Sequence, residues 1–310
     1  MGALAYAKTY DAMLLAVIGI GLGIGCVKVT LATVIGRLGC DVRKKGYEYL
    51  FVVSSLGFAV GGLCSYPLFA SCGIGGVVLS SLSSLAASLV CFFFLPNAVY
   101  EKQPPKPANE VSWGAFLANL AFGLPFFVCS CQLATGMPVF LHQCVDRTIG
   151  AWAIPAPWFG VFGSIAMAFL SPTIRRWWSS LPSEGSDRRK LIIGFGLLSS
   201  GLACASSAAL FHLSAPFLLG VHLLCFIADF HVRPVLYASA TAFTPARFHT
   251  ISTALVFGCI GLGGKLAGTL ASFVDQTGFA YLFGLCSLIA ALCTALLAFR
   301  KPIEEEWGRA

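Results

Sequence analysis

Residues 277–299, TGFAYLFGLCSLIAALCTALLAF, contain no charged side chain, and Arg300 and Lys301 follow at once. About twenty apolar residues are enough to carry an α-helix across the ~30 Å hydrocarbon core of a bilayer. A helix is the form such a run must take, because in lipid the backbone amides have to bond within their own segment. Similar runs recur outward from this one, at 249–273, 215–242, 190–212, 156–178, 112–140, 74–97, 47–69 and 11–36. The chain is therefore expected to be all-α and polytopic, with about nine transmembrane helices. Composition agrees: 57% of the 310 residues are hydrophobic, 11% are charged, and the mean hydropathy is +0.84. Soluble domains carry about 25% charged residues.

The connections are mostly short, as expected when consecutive helices pack antiparallel. The exception, residues 98–111, is polar and carries several prolines. It reads as a cytoplasmic linker. The linker divides a partial N-terminal bundle of three helices, 1–97, from a C-terminal six-helix bundle, 112–310.

A net charge of +7 would point to nucleic acid in a soluble protein, but here the placement of the charges points to topology. Arg37, Arg43, Lys44 and Lys45 follow the first run, and Lys102 and Lys106 lie in the linker. Arg175, Arg176, Arg188, Arg189 and Lys190 lie between the fifth and sixth runs. Arg247 follows the seventh, and Arg300, Lys301 and Arg309 follow the ninth. If nine helices alternate in direction, all of these fall on one side, with only Lys8 and Arg147 in the loops opposite. Cytoplasmic loops accumulate Lys and Arg. The expectation is a multi-pass protein of the cell membrane, with the N-terminus outside and the C-terminus cytoplasmic.

Most of the thirteen cysteines lie within apolar runs, where cysteine acts as a small hydrophobe. There is no CxxC spacing, so no zinc site is expected. A disulfide between Cys72 and Cys144 is conceivable, since both would face one aqueous side. GIGLGIG at 19–25 superficially matches a dinucleotide-binding fingerprint, but that motif needs a preceding strand. Inside an apolar helix the small residues read as close helix packing, as they do in GCIGLGG at 258–264. No HExxH, P-loop or nucleophile–base arrangement occurs, so neither an enzyme nor a cofactor is expected.

Two charges stand inside apolar runs. Lys28 shares a helical stripe with Gly21, Gly25 and Ala32. A mid-helix lysine costs about 2.5–3.5 kcal/mol on insertion scales. It should face protein or a water-filled cavity, the alternative being a side chain that snorkels to the helix end. Asp229 has Arg233 four residues on, so an intrahelical ion pair is one reading. The other is a carboxylate lining a cavity, with His222 seven residues back on the same face. His231 lies off that face and reads as a packed, hydrogen-bonded histidine. Pro125 and Pro138, near the two ends of the fourth run, suggest a bend.

Several stretches, in order along the chain, resemble the proton-coupled oligopeptide transporter (POT/PTR) family of the major facilitator superfamily. GIGCVKVTLATVIGRL resembles the family's fourth helix with its buried lysine, here Lys28, and GYEYLFVVSSLGFAVGGL resembles the fifth. VDRTIGAWAIPAPWFGVFGSIAMAFLSP is similar to the approach to helix eight. ADFHVRPVLYASATAFTPARFHT resembles helix ten, and GLGGKLAGTLA helix eleven. The resemblance implies a major-facilitator-like bundle that alternates between outward- and inward-open states and takes up di- and tripeptides with protons. It implies substrate contacts at Lys28, Asp229, Ser55 and Gln132, and proton coupling through Lys28 and Asp229. Lys28 would meet the peptide carboxylate, and Asp229 stands where the family has a glutamate for the peptide amine.

Some positions depart from the family. Its first three helices, with their acidic and arginine motif, have no counterpart here. Ser55 replaces an asparagine, Cys131 a glutamate, Gly163–Ser164 an Asn-Pro pair, and Val256 a tryptophan. The expected partners are small peptides, protons and the lipid bilayer, with no nucleic acid. A separately encoded three-helix segment joins them if the transporter is split. The competing reading is a non-transporting, degenerate or interaction-only membrane protein.

Overall fold

The computed structural model describes residues 9–36, 40–93, 111–149, 152–181 and 186–299. Its helices are α1 (Tyr10–Gly36), α2 (Cys40–Phe93), α3 (Trp113–Ser130), α4 (Gly136–Gln143) and α5 (Trp158–Ser179). They continue with α6 (Ser186–Phe211), α7 (Ala215–Ala242), α8 (His249–Ala271), α9 (Val274–Thr277) and α10 (Phe279–Phe299). Among the described residues, six helices are long and apolar enough to cross a membrane. The chain is an all-α, multi-pass membrane protein. The expected runs all fall on these helices, apart from residues 94–97 at the end of the third, which lie outside the described residues. The linker expected at 98–111 lies outside them too, except for residue 111.

Two helical runs are joined in α2, which breaks at Gly73 (φ 61°, ψ −157°). A side chain would clash there with its own backbone, so the chain turns where glycine permits a left-handed φ. The fourth run divides differently from the proline-based expectation. Pro125 stays within α3, and a 3-10 turn at Cys131–Leu133 separates α3 from α4. Pro138 falls in the first turn of α4, where its missing N–H needs no partner. An unforeseen departure from pure helix is a two-residue antiparallel pair, Thr148–Ile149 with Trp152–Ala153.

Apolarity alone gives helices in lipid little reason to associate, so small residues and interhelical hydrogen bonds carry much of the packing. Ser199 on α6 and Ser287 on α10 each donate to the other's carbonyl, at 3.0 and 2.8 Å, and Ser206 donates to the Ala280 carbonyl at 2.7 Å. Gly263 lets α8 lie against α3 so closely that an added Cβ would stand 2.5 Å from Phe127 Cβ and 3.1 Å from the Val128 nitrogen. The GCIGLGG stretch thus packs closely at Gly263. The glycines of GIGLGIG differ: a Cβ at Gly19, Gly23 or Gly25 would meet nothing within 4 Å. Aromatic rings fill the centre, with Phe126 and Phe195 fully buried and edge-on at 5.3 Å. Cys72 and Cys144 are free, exposed thiols, so the conceivable disulfide is not formed.

Candidate functional site

A cavity of about 440 Å³ opens between α1, the first arm of α2, α4, α5 and α7. That volume is in the range of small-molecule sites. Most of its wall is apolar, with Phe51, Phe58, Phe226 and Phe257 among the contributors. Into this wall the sequence sets a few charges. Lys28 comes from the middle of α1 and is exposed to the cavity. Asp229, Arg233 and Tyr237 come from one face of α7 at four-residue spacing, with His222 two turns earlier. Helical periodicity makes this alignment unavoidable once α7 forms.

Arg233 Nε lies 3.0 Å from Asp229 Oδ1. Both readings of Asp229 therefore hold together: it lines the cavity, and it pairs along its own helix. Arg233 is held further by the Phe127 ring, 5.3 Å from Cζ. Tyr237 stacks on Phe257 at 5.2 Å. The contacts with Asp229 and Phe127 engage Arg233 within the protein. They give a buried guanidinium more than water at the rim could, because charge interactions strengthen as the surroundings lose water. Lys28 has no ion pair among the described residues, and Arg233 is close enough to repel it. Cys131, at the family's glutamate position, also lines the cavity within electrostatic reach of Asp229 and Arg233.

Ser55 lines the cavity from α2 and is 7% exposed. Gln132 does not line it. Its Nε2 donates to the Ala267 carbonyl at 3.1 Å, and its Oε1 accepts from Thr135 at 3.2 Å. The residue is fully buried and ties the 3-10 turn to α8. Helical spacing sets Gln132 away from Ser130, Ala134, Pro138 and Leu141, which face the cavity. His222 places Nδ1 2.9 Å from the Leu218 carbonyl. His231 is packed elsewhere, with Nδ1 2.7 Å from the Ile227 carbonyl and its ring against Trp178. Tyr237 and Phe257 escaped the sequence reading, although Tyr237 is one helical step beyond Arg233 and could have been found by continuing the face.

One end of the cavity is closed. The Tyr47 hydroxyl donates to the Ala32 carbonyl at 2.9 Å and lies 3.5 Å from Thr241 Oγ1, joining α1, α2 and α7. Beyond it, two ion pairs bridge α2 and α6: Glu48–Lys190 and Lys44–Asp187, each at 3.1 Å. Arg175 at the end of α5 covers the Tyr49 ring at 4.3 Å. Arg188 donates to the Leu297 and Ala298 carbonyls, capping α10. The start of α2, the end of α5, the start of α6 and the end of α10 thus share one basic end. At the opposite end Arg147 donates to the Ile154 carbonyl at 2.8 Å. There the Asp146 carboxylate accepts from the Thr148 amide and hydroxyl, which hold its carboxyl below the usual range.

A family profile described as the POT family matches residues 115–284. No curated protein matches the chain. Among solved structures, the chain is similar to a POT family transporter in complex with 5-aminolevulinic acid, at 15% identity and a TM-score of 0.54, covering 96% of this chain and 55% of the other. It is similar to a POT family transporter bound to a thioalcohol-conjugated peptide, at 15% identity and a TM-score of 0.53, covering 94% and 54%. A third, a point-substituted form of a peptide transporter, reaches a TM-score of 0.66 at 15% identity, covering 95% and 75%. These likenesses establish a shared major-facilitator-type fold. The chain spans about half the length of the first two.

Proposed function

Since this chain belongs to the POT family, we propose that it moves small peptides across the cell membrane by alternating access, driven by proton symport. The observation that carries the reading is the cavity itself, which sets Lys28 and Asp229 across a largely apolar space. Opposite charges on facing helices suit a ligand with a terminal carboxylate and a polar backbone. In this reading Lys28 meets the carboxylate, Ser55 offers a hydroxyl to the ligand backbone, and Lys28 and Asp229 exchange the coupled proton. Gln132 supports the site from behind, by fixing the turn that presents Cys131.

The basic end is taken as cytoplasmic, because Lys and Arg accumulate on that side. The N-terminus then lies outside and the C-terminus inside, and the closed end of the cavity faces the cytoplasm. Release of cargo requires the contacts of Tyr47, Glu48–Lys190 and Lys44–Asp187 to part. The test is uptake into proteoliposomes holding the purified chain, with an inward proton gradient and a labelled dipeptide. Gradient-dependent uptake that Lys28→Ala reduces at least about tenfold supports the proposal, since tenfold corresponds to about 1.4 kcal/mol. Absence of uptake from liposomes that contain folded protein counts against it. A second reading, ligand binding without transport, is favoured by the open positions of α1 at Gly19 and Gly23, which share one helix face with no neighbouring helix among the described residues against it. It predicts saturable peptide binding with no uptake. Whether a separately encoded three-helix segment takes part is answered by co-expressing one and repeating the assay.

A further inference from the structure

The lining charges do not balance, and the imbalance bears on the kind of molecule the cavity selects. Among the described residues that line it, Lys28 and Arg233 are cationic and Asp229 is the one carboxylate. Asp229 is already engaged by Arg233, four residues along the same helix and 3.0 Å away. Arg233 is itself restrained by the ring of Phe127. A guanidinium tethered to the same helix is present at high effective concentration, so an incoming ammonium competes poorly for that carboxylate. At the position where a second acid could have served, the side chain is Cys131. Lys28 is left without an ion-pair partner among the described residues, in a cavity whose wall also holds Phe51, Phe58, Phe226 and Phe257.

We infer that this cavity reads its cargo through one carboxylate and an apolar or aromatic body, and does not read a free amino terminus. The preferred class is organic monoanions such as N-acylated peptides and aryl carboxylates, with zwitterionic peptides held only through their carboxylate end. The inference rests on the transport reading in locating the cargo, but it concerns equilibrium selectivity, which is measurable without transport. A carboxylate already held in an ion pair on its own helix adds less attraction for a ligand ammonium than an unpaired lysine adds for a ligand carboxylate.

The experiment is calorimetric titration of the full purified chain in nanodiscs with three matched ligands: alanyl-phenylalanine, its N-acetyl form and its C-terminal amide. The expected result is that acetylation changes Kd by less than about threefold while amidation weakens binding by about tenfold or more, equivalent to about 1.4 kcal/mol. In Arg233→Gln, which frees Asp229, the unacetylated dipeptide should gain at least about fivefold over the acetylated one. If acetylation weakens binding to the native chain about tenfold, the proposal is overturned while the transport reading stands. If none of the three binds to folded protein, both fall together. The native chain decides the matter even where Arg233→Gln fails to fold.

Discussion

Helices α7 and α2 are similarly apolar, and they are treated in opposite ways by the rest of the chain. In the most hydrophobic stretch of α7, 56% of residues are buried, against 6% in α2. The helix α7 touches α2, α5, α6 and α8 and carries the charged face of the cavity, so its side chains are fixed by several neighbours. In α2, a few residues near the start hold the closed end, and Ser55 and Phe51 reach the cavity. Much of the remainder, including Phe69 and Leu79, stays exposed. Hydropathy measures tolerance of lipid, and both helices have it. Burial within protein depends on shape complementarity, which the two do not share.

Introducing bulk at a close crossing should give the largest difference between tightly packed and open regions. Gly263→Leu forces α8 away from the backbone of α3 and should cost about 3 kcal/mol. Gly57→Ala, where a Cβ would meet nothing within 4 Å, should change stability by less than about 0.5 kcal/mol. Thermal unfolding in one detergent measures both, and equal losses would erase the contrast. Next come the two ion pairs at the closed end. Lys190→Ala strands Glu48, whose side chain is 11% exposed, and should cost about 2 kcal/mol. Lys44, whose side chain is 49% exposed, should cost less than about 1 kcal/mol when replaced by alanine.

A third test separates scaffold from site. Gln132→Leu leaves the Ala267 carbonyl without its donor and should lower stability by about 1–2 kcal/mol. The dipeptide Kd should move by less than about twofold, because the side chain lies outside the cavity. A larger change in Kd would return Gln132 to the binding surface. The smallest effect is expected at Asp146, whose carboxyl is held below its usual range by Thr148. Its depressed value means that the contribution to loop order is present above about pH 4 and fades as pH falls through the lowered native value. Amide exchange at Thr148 should therefore quicken only in acid, and Asp146→Ala should remove that dependence.

Much of the site was legible because helical spacing is local. Asp229 and His222 on one face and the break near Gly73 follow from periodicity and turn chemistry. The resemblance put Gln132 at the site, whereas helical spacing already sets it away from Ser130, Ala134 and Pro138, which line the cavity. Nor did the GIGLGIG stripe reveal whether another helix in this chain would cover it, since small residues permit close approach without supplying a neighbour. Cys72 and Cys144 show the same limit, because sharing an aqueous side does not bring two thiols within bonding distance.

By itself the sequence determined the membrane class, the helical runs, the basic end and the family. Each of these depends on composition or on residues near one another along the chain. Tertiary structure alone decided that Arg233 packs against the Phe127 ring of α3 and that Lys28 has no ion-pair partner among the described residues. The rotamer of a long cation is set by whichever partners the surrounding helices bring within reach. Spacing within α7 offers Arg233 its partner Asp229. The Phe127 ring beside it and the lack of an ion-pair partner for Lys28 among the described residues depend on which helices meet, and no spacing within one helix encodes that.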